Sequence, residues 1–187
     1  LTEAYYIEPD DEEAGWGYGG LRDDGIRNHD HRGVAPMAAY YRGPFLLLFR
    51  TDIVGGVRVL NRMLNHAAEH RERGAYRIAP GGERTTLAIT GDEREYIGDG
   101  QVWLWHAGSG TGPYPCMSAL QALEHVVHEW LDHGVPLAKI VELLLDGCEN
   151  LAVVALVVRL LAQRLDDSGA LLDPYLSEPA IWSLEFN

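Results

Sequence analysis

Residues 151–162 read LAVVALVVRLLA, and apart from Arg159 every side chain in that run is apolar. Such a run leaves no face fit for water, so it is either a membrane span or a helix enclosed by other helices. A span needs ~20 such residues, whereas this one is interrupted by Arg159 and stopped by Gln163, Arg164 and Asp166. The run therefore predicts a central buried helix, capped at its start by Asn150. A guanidinium cannot shed its proton to escape burial, and neither Ala155 nor Gln163, one turn to each side of Arg159, can pair with it. A carboxylate from elsewhere is expected to meet Arg159, with residues 8–13 and Glu142 as the candidates.

A central helix needs neighbours, and the preceding chain has the patterning to supply them. FLLLF after Gly43-Pro44 suggests a short buried helix or turn. A longer helix then starts near Thr51-Asp52, either of which can cap, and runs to Gly74 with Ile53, Val54, Val57, Leu60, Leu64, Ala67 and Ala68 at helical spacing. Gly55 and Gly56 in its first turns either weaken it or permit close packing. A helix from about Cys116 to His133 turns Met117, Leu120, Leu123, Val127, Trp130 and Leu131 to one side, and Gly134 stops it. Pro136 opens the next, with Leu137, Ile140, Val141, Leu144 and Leu145 inward and Gly147 closing it. Short connections favour antiparallel neighbours, as in a bundle or an α-solenoid.

Between these helices the periodicity changes. Thr85–Thr90, Glu93–Ile97 and Gln101–Ala107 are short β-like runs separated by Gly91-Asp92 and Gly98-Asp99-Gly100. They predict a small antiparallel meander inserted at about 84–107, with Trp103 and Trp105 on one face and Val102 and Leu104 on the other. The fold class expected is thus mainly α, a helical bundle or solenoid-like segment with a β insertion over 36–187. Residues 1–35 read as an irregular acidic arm, dense in Glu8, Asp10, Asp11, Glu12 and Glu13 and pinned by Tyr5, Tyr6, Trp16 and Tyr18.

Charge and cysteine usage narrow the function classes. A formal net charge of −13 argues against nucleic acid or an anionic membrane surface as partner. Two cysteines, Cys116 and Cys148, are too few for a disulfide framework. Antiparallel helices would leave them ~9 Å apart, beyond the ~7 Å reach of a bridge, so free thiols and a cytoplasmic setting are expected. The chain begins at Leu1, and Ser177-Glu178-Pro179 looks like a cap and first turn shortly before Asn187. Both ends therefore read as cut from a larger protein.

The sharpest chemical pattern is HAAEH, His66 to His70. Two His at i and i+4 share a helix face, and Glu69 could act as the base of an inverted zinc-peptidase motif. A catalytic zinc needs a third protein ligand, for which Glu142 is the candidate, with Glu149 further on. The plain alternative is the polar last turn of an amphipathic helix, where His and Arg suit the dipole. Gln121, His125, His128 and Asp132 form a second stripe, whose spacing could hold a metal or partner but reads first as the solvated face opposite Met117 and Trp130. The triplet His29-Asp30-His31 lies in a loop without a helical scaffold. Gly108-Ser-Gly-Thr-Gly112 sits where phosphate loops occur, between a predicted strand and a helix, yet it lacks the Lys-Ser/Thr ending and continues into Pro113. Cys116 and Ser118 carry no nucleophile signature. The residues thus present no triad, CxxC pair or carboxylate dyad.

Four blocks carry a family likeness: YYRGPFLLLFR (Tyr40–Arg50), VLNRMLNHAA (Val59–Ala68), GTGPYPCMSALQALEHV (Gly110–Val126) and LLLDGCENLAVVALVV (Leu143–Val158). The chain resembles, over most of its length, a region of very large bacterial signal-transducing P-loop ATP-binding proteins with multiple domains, of the kind implicated in phage defence. Its motifs are packing and turn residues, and no Walker motif is present. The resemblance implies a non-catalytic helical region beyond the ATPase core, used for sensing, coupling or assembly. It places no cofactor in this segment; ATP and Mg would belong to the parent's ATPase region. Partners would be other domains of the same chain or other proteins. The rival expectations are a zinc-dependent hydrolase built on His66, Glu69 and His70, and a standalone protein-interaction domain.

Overall fold

The computed structural model describes residues 38–73, 84–108 and 112–186, leaving aside the side chains of residues 70–73. The acidic arm at 1–35, with the His29-Asp30-His31 triplet, lies outside the described residues. The architecture is mainly helical, with one small antiparallel hairpin.

The first two helices are α1 (Phe45–Thr51) and α2 (Ile53–Arg73). They are separated by Asp52, whose carboxylate accepts the Gly55 N–H at 3.0 Å and so caps α2. Phe45 and Phe49 point inward from α1, while Leu47 is 73% exposed. Gly56 settles the question of its role: a Cβ there would stand 2.7 Å from a Phe49 ring carbon, so the glycine lets α1 close down on α2. From α2, Val57, Leu60, Met63, Leu64, Ala67 and Ala68 enter the core, as the helical spacing predicts for all but Met63.

The hairpin pairs β1 (Arg84–Leu87) with β2 (Arg94–Ile97), in the register Arg84↔Ile97 to Leu87↔Arg94. A two-stranded hairpin is marginal alone. Here it is anchored by burying Leu87, Tyr96 and Ile97 and by an Ile97 N–H donated to the Glu149 carbonyl at 2.7 Å. The expected third strand is helical instead: α3 (Gly100–Trp103) runs into a 3-10 turn (Leu104–Ala107). The Asp99 carboxylate accepts the N–H groups of Gln101 and Val102, each at 3.0 Å. The Asp-Gly pair read as β punctuation is therefore a helix cap. A strand would send only alternate residues inward, whereas this conformation buries Val102, Trp103, Trp105 and His106 together.

Next come α4 (Tyr114–Asp132), α5 (Leu137–Leu145) and α6 (Leu151–Gln163). Gly134 and Gly147 follow α4 and α5 with φ of 82° and 70°, a left-handed exit that favours glycine. The central helix is as anticipated. Nine of its residues, Leu151–Val157 with Leu160 and Leu161, are buried, and Asn150 accepts the Val153 N–H at 3.0 Å. Around α6 stand α3, the 3-10 turn, α4 and α5. Helix α5 packs on α6, on α2 and on the short helix Leu165–Ser168 rather than on α4, which it follows, so consecutive helices are not simply successive neighbours of one bundle. The chain closes with α7 (Leu165–Ser168), α8 (Asp173–Leu176) and α9 (Pro179–Phe186). Among the described residues no helix is long and apolar enough to cross a membrane.

Candidate functional site

Two asparagines on α2, at i and i+4, perform a task that the sequence did not advertise. Asn61, 1% exposed, donates its amide hydrogens to the carbonyls of Leu144 at 3.0 Å and Asp146 at 2.8 Å. Asn65 donates to the Gly147 carbonyl at 3.1 Å and accepts from Glu149 N–H at 3.1 Å and Asn150 Nδ2 at 2.7 Å. Helix C-termini leave carbonyls without intrahelical partners; here α2 supplies those partners and holds the α5–α6 connection. Asn150 then caps α6, so one polar chain runs from α2 to the start of the central helix. The only outward sign of it was a pair of Asn residues inside an otherwise apolar helical pattern.

The polar stripe on α4 ties helices together. Arg159, on α6, meets Glu124 of α4 with Nε 2.9 Å from Oε1. The expectation of a carboxylate from outside the helix is thereby met, but by Glu124. Glu142 is exposed on α5, and residues 8–13 lie outside the described residues. His128 approaches the same Glu124 carboxylate at 3.9 Å. One turn along, Glu129 binds the Arg50 guanidinium through both oxygens, and His125 stands 3.4 Å from it with Tyr40 stacked on its ring at 4.6 Å. The Arg50 guanidinium holds the Glu129 carboxyl below its ordinary value, and Arg164 at 2.7 Å does the same for Asp132. Three acids of α4 thus each engage an arginine from another part of the fold. Beneath them His106, 8% exposed, shares a hydrogen bond of 2.7 Å between Nδ1 and the Trp103 carbonyl oxygen. Burial pushes its pKa down.

The candidate nucleophiles are enclosed. Cys116, Ser118 and Cys148 are buried, and neither cysteine is in a disulfide. Burial pushes the Cys148 thiol up to about 12, and it donates to the Asn150 carbonyl at 3.3 Å. Ser118 Oγ accepts the Ala39 N–H at 3.2 Å. The Gly108–Gly112 loop follows a 3-10 turn rather than the expected strand, and Gly112 lies against Trp105, where a Cβ would sit 2.1 Å from the indole nitrogen; residues 109–111 lie outside the described residues. For the zinc pattern, His66 and Glu69 are half-buried on α2, Glu142 is exposed on α5, and the His70 side chain lies outside the described residues. Among the described residues no group of three or more His, Cys, Asp or Glu is placed to hold a metal ion.

What the described surface does offer is large apolar side chains. Tyr40, Tyr41, Leu47 and Val54 stand out near α1. At the other end of the chain Leu176, Trp182 and Phe186 are 47%, 45% and 80% exposed. Trp182 and Phe186 stack with centroids 6.0 Å apart and planes 7° from parallel. The Trp182 indole N–H is donated to the Leu176 carbonyl at 2.8 Å, which fixes the ring. No family model matches the chain, and no curated protein matches it either.

Proposed function

We propose that residues 36–187 form a non-catalytic helical module for sensing, coupling or assembly within a larger cytoplasmic P-loop ATPase serving antiviral defence. The observation that carries the docking part of this reading is the exposed Trp182–Phe186 stack beside Leu176. Large aromatic side chains held rigid at a surface are suited to anchoring a partner segment. The placement of the charged groups agrees with it: Glu124, Glu129 and Asp132 are engaged by Arg159, Arg50 and Arg164 in holding helices together. The ATPase part rests on the resemblance of the four packing blocks alone, and ATP and Mg would act in the parent's own nucleotide domain.

The test is the complete open reading frame together with metal analysis of its purified product. The reading expects one polypeptide that also carries a Walker loop and binds ATP there, with no zinc lost on His66→Ala. A reading frame without a Walker loop overturns the ATPase assignment. Stoichiometric zinc, lost in His66→Ala or His70→Ala, overturns the non-catalytic assignment in favour of a hydrolase using His66, Glu69 and His70.

A further inference from the structure

We draw no further inference here: the strongest candidate, the exposed Leu176–Trp182–Phe186 face of α8 and α9, belongs to the surface already described, and nothing in the structure shows what covers it.

Discussion

Replacing Asn61 probes the bond between the outer helices and the start of the central one. Asn61 is 1% exposed and is the donor to two carbonyls at the C-terminal end of α5, at 3.0 and 2.8 Å. In Asn61→Ala both carbonyls lose that donor, one of them fully buried, and a small cavity forms. With about 1 kcal/mol for each lost bond and the added cost of a buried carbonyl without a partner, the expected loss is ~2–4 kcal/mol. For a domain of this size that is a fall of about 5–12 °C in Tm. Asn61→Leu fills the volume but restores no donor, so it should remain destabilised, by less than the alanine variant. Asn61→Asp carries its own signature. An aspartate there faces carbonyl oxygens in a buried site, which raises its folded pKa above the ordinary carboxylate value. Its contribution is therefore retained at low pH, where the acid is protonated and can donate, and is lost as pH rises through the raised pKa. The gap in Tm between Asn61→Asp and wild type should accordingly narrow from pH 7 toward pH 4. Thermal melts monitored by far-UV circular dichroism read all three. An Asn61→Leu variant as stable as wild type, with an Asn61→Asp gap indifferent to pH, would refute the reasoning.

The same melts test three further points. Leu156→Ala, at the fully buried centre of α6, should cost ~2–5 kcal/mol, and a loss under ~1 kcal/mol would contradict an enclosed helix. Arg159→Met should destabilise by ~1 kcal/mol, since its partner Glu124 is 14% exposed in its side chain and is left with His128, at 3.9 Å, in place of the guanidinium; Arg159→Met combined with Glu124→Gln should recover part of that loss, and strict additivity would argue against the pair. His106 is held neutral by burial, its folded pKa below the ordinary 6.5, so its contribution is present above 6.5 and is lost as pH falls toward the folded value. His106→Gln should therefore flatten the decline in Tm between pH 7 and pH 5, and an unchanged slope would count against burial as the cause.

Some of this was legible in the residues and some was not. The run at 151–162 has one physical solution in water, and Asn150 before it can hardly be other than a cap; the structure has both. Residues 101–107 misled because Val-Trp-Leu-Trp alternates as a strand would. Which reading holds was decided by Asp99, whose carboxylate reaches the two N–H groups that start a helix. Arg159 announced its need for an acid, but sequence spacing cannot show that α4 passes at the level of Glu124. Asn61 and Asn65 looked like ordinary polar positions because the carbonyls they serve lie more than 80 residues away. As for function, the His66 to His70 pattern was visible at once. The Trp182–Phe186 stack was not, because an aromatic pair at i and i+4 reads as core until a fold shows which side is covered.

That uncovered side is where the account is most directly tested. Hydroxyl-radical footprinting of the full-length native protein compares the oxidation rates of Trp182, Trp103 and Trp105 within one molecule. Trp103 and Trp105 are 1% and 0% exposed in the fold described, against 45% for Trp182. If the Leu176–Trp182–Phe186 face is occupied in the whole protein, Trp182 should be nearly as slow to oxidise as the two core indoles. Trp182 reacting many-fold faster than either, as a solvent-exposed indole does, would contradict a docking function for this surface.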